Sequence, residues 1–407
     1  DESLKGFMLM LNVNPGYSEY TDLNNNFTEF TSVVTSYILK LVVINTSETP
    51  LAKYSANAKT SETIKSLFSE AKLQQLIWKR SIVDGRPPIC PSIANFSLFM
   101  SDSVAFLKYL KNKTIGREDL QNLFTYLLSC IKRETDGIGV IVMPTIEDSF
   151  VLQDCIKETI RETMSITPEI IHSLYENKHT IYSRVISQIV RLFLIGYVIH
   201  FDLHFNNILI YVKDGDGSIE SRIRAVILDF EMASDISYEG TDTSFSETRK
   251  IPIRPRMSEF MALMTDAETD KAQFMYDVME YITYISHGYN QLRLKYSNPN
   301  LHQMTWYDNI NNSLSEEERH YIFENAFDYL EEDLTPSTGI SHSMINSYEE
   351  SGQLINFSEP SHFIVNFTEP DENPSKRRRY SRSSPKISSF GWDNIFSVFK
   401  GGTRKRR

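Results

Sequence analysis

Apolar residues along the chain fall into short continuous runs and helical stripes divided by polar clusters. The runs at 6–13 (GFMLMLNV) and 36–44 (SYILKLVVI) are bounded by Asn, Pro, Gly and Thr, which predicts two strands. Over 61–80, Ile64, Leu67, Phe68, Ala71, Leu73, Leu76 and Ile77 recur at near-helical spacing. They predict a helix capped by Ser61 and ended by the Gly85-Arg86-Pro87-Pro88 break. Helices at about 101–112 and 117–132 lead to a short strand over 138–143, and 179–198 reads as a long apolar helix with buried character. A hairpin follows, with strands at 208–212 and 224–228 and its turn at 214–217 (DGDG). Helices near 257–265, 266–287 and 315–331 complete the folded part. Beyond about 333, Ser, Pro, Asn and Glu surround scattered apolar residues, so 333–407 is expected to be a low-complexity, largely unpacked tail.

Composition changes this picture in two ways. A chain of 407 residues with 41% hydrophobic content can build a large core and is not mostly disordered. Its net charge of −11 excludes a protein that coats nucleic acid over its whole surface, but the average hides an asymmetry. From Lys376 to Arg407 there are eleven basic residues and one acid, Asp393, which leaves 31 basic against 52 acidic residues elsewhere. An acidic globule therefore carries a disordered basic C-terminal tail. The runs Lys376–Arg379 and Arg404–Arg407 suit nucleic acid, an anionic membrane surface or an import receptor, with a plain solvated charge run as the alternative. Between them Trp392, Ile395, Phe396 and Phe399 share one helical face, which would suit a membrane surface or a partner's groove.

Cys90, Cys130 and Cys155 are widely spaced and form no CxxC pair, so a reducing, intracellular compartment is expected. No run approaches the ~20 apolar residues that span a bilayer. The first residues, Asp1-Glu-Ser-Leu-Lys5, include neither an initiator Met nor a signal-peptide apolar region, and read as a truncated start.

The stretch His200-Phe-Asp202-Leu-His204-Phe-Asn-Asn207, followed after the hairpin by Asp229-Phe230-Glu231, carries the chemistry. An acid, an amide five residues on and a second acid beyond a hairpin suit phosphoryl transfer. One carboxylate orients the attacking hydroxyl, while the amide oxygen and the other carboxylate hold Mg²⁺, a hard cation that takes oxygen ligands. A rival reading takes His200, Asp202 and His204 as metal ligands, but further ligands are not evident among nine histidines and Asp229 is left unexplained. Asp214-Gly-Asp-Gly217 imitates a calcium loop, yet Ile219 stands where that loop needs Gly.

This segment resembles the catalytic loop and metal-binding turn of the protein-kinase-like superfamily, H-x-D-x-x-x-x-N followed by D-F-G. His200, Asp202, Asn207, Asp229 and Phe230 match, and Glu231 stands where Gly is usual. The D-L-H-x-x-N form at 202–207 is more similar to the atypical branches, such as aminoglycoside, choline and lipopolysaccharide kinases, and to kinase-like proteins of large DNA viruses. The resemblance covers about residues 36–287 and implies an α+β, two-lobed protein-kinase-like fold. Its N-terminal lobe would be 1–143, with a helical insertion at about 100–136, and its C-terminal lobe 144–332.

ATP and Mg²⁺ would lie between the lobes. By the same resemblance Asp202 would orient the acceptor, Asn207 and Asp229 would hold Mg²⁺, and Lys40 would engage phosphate. Glu70 would place Lys40, and the backbone from Met143 to Thr145 would meet adenine. His200 would pack and hydrogen-bond rather than act as a base. The expected activity is that of a serine/threonine protein kinase on a protein substrate, with a scaffolding pseudokinase or a small-molecule kinase as alternatives. The expected setting is the cytoplasm or nucleus of a host cell, or a virion. Three features depart from the family pattern. A G-x-G-x-x-G is absent, with only Gly6 and Gly16 ahead of Lys40; Glu231 replaces Gly; and Ile251-Pro-Ile-Arg-Pro255 stands in for A-P-E. Thr243, Ser244, Ser246 and Thr248 are candidate phosphoacceptors in the intervening segment.

Overall fold

The computed structural model describes residues 7–12, 36–45, 61–62, 64–163, 166–213, 215–236, 253–294, 304–336, 340–350 and 354–367. The turn glycines before Lys40, the Thr243–Thr248 segment and the basic runs with their aromatic stripe lie outside those residues. The described chain is α+β.

In chain order it comprises β1 (Phe7–Asn12), β2 (Ser36–Ile44), β3 (Ser61–Glu62), α1 (Ile64–Ile82), β4 (Asn95–Phe99), α2 (Ser103–Lys113), α3 (Glu118–Cys130) and β5 (Gly137–Pro144). Then come β6 (Ser149–Val151), α4 (Leu152–Ile156), α5 (Pro168–Glu176), α6 (Lys178–Leu194), β7 (Val198–Ile199) and β8 (Ile208–Val212). The remainder is α7 (Ile219–Arg222), β9 (Ile223–Ile227), β10 (Ser234–Asp235), α8 (Ile253–Met264), α9 (Lys271–Leu294), α10 (Thr305–Ser313), α11 (Glu316–Leu334) and α12 (His342–Glu350).

Strands β1, β2, β5 and β4 form one antiparallel sheet in that order, and β3 adds in parallel to the end of β2. Registration pairs Lys40 with Met8 and Ile141, and Ile38 with Met143, so these side chains share one face. Val42, Ile44, Phe96, Ile141 and Met143 pack there against Leu67, Phe68 and Ala71 of α1. The other face, with Leu39, Leu41, Val140 and Val142, is covered by Phe106, Leu107, Leu110, Phe124 and Leu127 of α2 and α3. The helices at 100–136 thus have a role the sequence left open: their hairpin turns a sheet with one exposed face into one covered on both.

α1 approaches the sheet closely because Gly139 has no side chain. A Cβ there would lie 2.0 Å from Leu67 Cδ2 and 3.2 Å from Ile44 Cδ1. Gly139→Ala should therefore lift α1 and lower unfolding stability by about 1–3 kcal/mol, the usual cost of overpacking a core. In urea titrations the double variant with Leu67→Ala should lose less than the two single losses together. Strict additivity would show that α1 does not rest on Gly139.

The larger helical body is built around α6, buried continuously from Thr180 to Leu194. α8, α9 and α11 surround it, and Ile77, Trp78 and Ile82 of α1 enter the same core. α1 therefore bridges the sheet and the helical body. Arg191, fully buried on α6, fastens this junction by donating to the carbonyls of Ser81 (3.0 Å) and Pro87 (2.5 Å), with the Asp333 carboxylate 3.7 Å away. The three cysteines are free thiols. No helix among the described residues is long and apolar enough to cross a membrane.

Three sequence expectations are corrected. Ser61 is not the helix cap, because it pairs with Val43 in β3 and α1 begins at Ile64. The helix expected over 179–198 stops at Leu194; Gly196 follows, Tyr197 is left-handed (φ 55°), and Val198 enters β7. The tail expected to be unpacked after 333 is ordered in two stretches, 340–350 and 354–367. Ile345, Phe357 and Phe363 are buried. These residues have neither helical nor alternating period, because each docks singly on a surface made by elements far away in sequence, and no local pattern reveals that.

Candidate functional site

The hairpin β8–β9 sets the geometry. Ile208 pairs with Ile227, so the residue before β8, Asn207, meets the residue after β9, Leu228, whose amide donates to the Asn207 carbonyl (2.9 Å). Asp229 comes next. The loop 200–207 is bound to the same turn by His200, whose Nε2 lies 2.8 Å from the Leu228 carbonyl and whose ring stands 5.1 Å from that of Phe230. Burial pushes the His200 pKa down, outweighing the Leu228 carbonyl and the nearby Asp202 and Asp229 carboxylates. His200 is thus a packed, bridging residue, as the sequence reading expected.

Within the loop, Asn207 Nδ2 donates to the Asp202 carbonyl (2.9 Å), which leaves the Asn207 amide oxygen as its ligand atom. His204 Nδ1 accepts from the Asn206 amide (3.2 Å), and Trp306 Nε1 donates to the Leu203 carbonyl (2.9 Å). Phe201 and Asp229 both have left-handed backbones, φ 58° and 61°. For side chains of this kind the conformation costs about 1–3 kcal/mol, and it persists where the surroundings over-determine it, as at functional sites.

Across from this turn, Lys40 projects from β2. Its Nζ donates to Glu70 Oε1 at 2.6 Å and to Asp229 Oδ1 at 3.1 Å. Lys40 and Glu70 are 4% and 3% exposed, whereas the Asp229 side chain keeps 29% of its surface open. Burial pushes the Asp229 carboxyl up, but the Lys40 ammonium, its hydrogen bond and the two histidines outweigh it and hold the group below the usual carboxylate range. One ammonium between two carboxylates leaves the cluster with a net negative charge, open on the Asp229 side.

Asn207 and Asp229 offer the oxygen donors that Mg²⁺ takes. Among the described residues no group of three or more His, Cys, Asp or Glu could cage a metal alone, which also counts against the rival metal-ligand reading of His200, Asp202 and His204. Mg²⁺ normally keeps waters and substrate phosphates beside one or two protein ligands, so this sparse set fits it.

The stretch from Met143 to Thr145 is partly committed within the fold. The Thr145 amide donates to the Ser36 carbonyl (3.1 Å) and is already used, and Met143 pairs with Ile38 in the sheet. The Met143 side chain is buried against α1, where its sulfur accepts from Gln74 Nε2 at 3.2 Å.

Sequence reasoning missed Gln74, which also donates to the Pro91 carbonyl, and Arg80, which holds the Gly196 carbonyl (2.6 Å) and Asp235 (3.3 Å). It missed Trp306 as well. A usable sign existed for the first: Glu70 and Gln74 are polar residues four apart on the stripe Leu67, Ala71, Ile77 and Trp78 that α1 buries. The scan against protein-family models and the search of curated proteins return no match for this chain.

Proposed function

We propose that the protein is an ATP- and Mg²⁺-dependent phosphotransferase with a two-lobed, protein-kinase-like fold, acting on serine or threonine hydroxyls of a protein substrate. The observation that carries this reading is the Lys40–Glu70–Asp229 cluster. Three residues separated by 30 and 189 positions converge on one buried ammonium, beside a loop that presents Asp202 and Asn207. A buried lysine between two carboxylates adds little to stability over an apolar set of the same size, because pairing only offsets the cost of burying the charges, so this cluster points to use.

In this reading the sheet with α1 and the helical body are the two lobes. Lys40 binds the α- and β-phosphates, and Glu70 fixes its ammonium so that no reorganisation is needed when the nucleotide arrives. Asn207 and Asp229 hold Mg²⁺, which would neutralise charge on the β- and γ-phosphates. Asp202 orients the acceptor hydroxyl toward the γ-phosphate and takes its proton. The hydrogen bonds of His200, Asn207 and Trp306 keep the loop in place, since transfer of this kind depends chiefly on positioning and electrostatics. The open side of Asp229 is where the nucleotide would enter.

The test is transfer of label from [γ-³²P]ATP in the presence of Mg²⁺, to the chain itself and to generic Ser/Thr-rich proteins. Label on serine or threonine that EDTA abolishes is expected. Magnesium-dependent binding of ATP with no transfer to any acceptor would overturn the enzymatic reading and leave a nucleotide-binding scaffold, to which Glu231 and the absent glycine loop already point.

A further inference from the structure

The two ordered stretches after α11 lie along α1. At the C-terminal end of the helix the Ile340 carbonyl accepts from the Asp84 amide (2.7 Å), Glu349 of α12 pairs with Lys79, and Ile345 is buried in the helical core. At the other end Phe357 and Phe363, 7% and 6% exposed, form an aromatic cluster with Phe68 of α1 and Phe96 of β4. Ring centroids are 5.6 Å for Phe68–Phe357, 5.9 Å for Phe68–Phe363 and 5.3 Å for Phe96–Phe363.

The second stretch then joins the sheet layer. Ile364 bridges to Leu98, the Val365 amide donates to the Leu98 carbonyl (3.0 Å), and the Phe367 amide donates to Asp102 (3.0 Å). The Phe367 ring reaches Phe106 and Tyr109 on the opposite face of the sheet at 5.8 and 5.4 Å. Both stretches thus rest on α1, the first at its C-terminal end and the second on Phe68, where the sheet's Phe96 also packs. Phe68, which it grips, is two residues from Glu70.

We propose that residues 340–350 and 354–367 are a positioning strap for the site, with Phe357 and Phe363 as positioning residues that act through Phe68 to keep Glu70 on Lys40. The consequence for catalysis rests on the phosphotransfer reading; the mechanical claim does not. Aromatic packing is the physical means. Four rings in offset and edge-on contact resist sliding of α1 along its axis, whereas the salt bridge alone tolerates it. A shift of about 1 Å at a reacting centre is enough to cost about 100-fold in rate. Because the strap follows α11 in the same chain, anything that pulls it off α1 turns the site off without touching a catalytic group.

The experiment compares the full chain with Phe357→Ala/Phe363→Ala and with the conservative Phe357→Leu/Phe363→Leu. Amide hydrogen exchange, read over 64–75 in α1 and over 181–194 in α6, reports the mechanical claim without any need for activity. The expected result is a loss of protection of about tenfold or more confined to α1 in the alanine pair and largely restored in the leucine pair. Label transfer should fall about 100-fold in kcat, with the KM for the protein acceptor unchanged. Unchanged protection in α1 would overturn the proposal, as would equal loss in α1 and α6, which would make the segment ordinary core. If the alanine pair does not fold, the single variants Phe357→Ala and Phe363→Ala are read by the same comparison, each expected to lose protection in α1 and not in α6. Absence of transfer in the wild type would count against the phosphotransfer reading alone, and the exchange result would still stand.

Discussion

Asp202→Asn should reduce phosphoryl transfer by about 10²–10⁴-fold in kcat, the range that a positioned general base contributes. The substitution keeps size and shape, and the loop around it is held by other groups: the Asp202 carbonyl by Asn207, the Leu203 carbonyl by Trp306, and His200 by Leu228. The melting midpoint should accordingly stay within about 2–4 °C, the shift that ~1 kcal/mol produces in a domain of this size. Magnesium-dependent binding of ATP should persist, because Lys40, Asn207 and Asp229 are untouched. Transfer at the wild-type rate by the Asp202→Asn variant would remove Asp202 from the reaction. A midpoint far lower would show that its role is to hold the loop together.

Lys40→Met should abolish both nucleotide binding and stability of the junction. The side chain is 4% exposed, and its removal leaves the Glu70 and Asp229 carboxylates without the cation that lies between them. Breaking a buried pair from one side costs about 3–5 kcal/mol, most of which comes from the charge left behind. Adding Glu70→Gln removes the more deeply buried of the two charges, since the Asp229 side chain stays 29% open. The double variant should recover more than half of the lost stability in denaturant titrations and none of the transfer activity. Equal losses in single and double variants would mean that Lys40 and Glu70 do not share a buried ion pair.

Most of the strands and helices were legible because each carries its own local period or apolar run. β2 and the pair β8–β9 were read within a residue or so at each end. The candidate site residues were picked out for a different reason: the spacing from Asp202 to Asn207 is fixed by a loop, and Asp229 follows a hairpin, so both are close in sequence to what they meet. Lys40 and Glu70 came only from the resemblance and from chain order. Nothing local distinguishes Glu70 from a surface glutamate except its place on the stripe that also holds Leu67 and Ala71.

What escaped were the contacts made between distant segments. The cover that α2 and α3 give the sheet depends on which face of β5 they find, and amphipathic spacing does not specify that partner. Residues 354–367 were missed because aromatic and aliphatic side chains docking one at a time look like scattered hydrophobics in a polar tail. The commitment of the Thr145 amide to Ser36 escaped for a similar reason, since it follows from how β2 and β5 pair beyond their apolar runs.

The central claim is that Lys40, Asn207 and Asp229 surround one metal–nucleotide complex. A crystal structure of the full chain with Mn²⁺ and a non-hydrolysable ATP analogue tests it directly, because the manganese is located by its anomalous scattering. The expected result is a manganese peak within ligand distance of Asn207 Oδ1 and an Asp229 carboxylate oxygen, with the Lys40 ammonium on the α- and β-phosphates. A manganese peak and nucleotide elsewhere, with Lys40 still held between Glu70 and Asp229, would contradict the account.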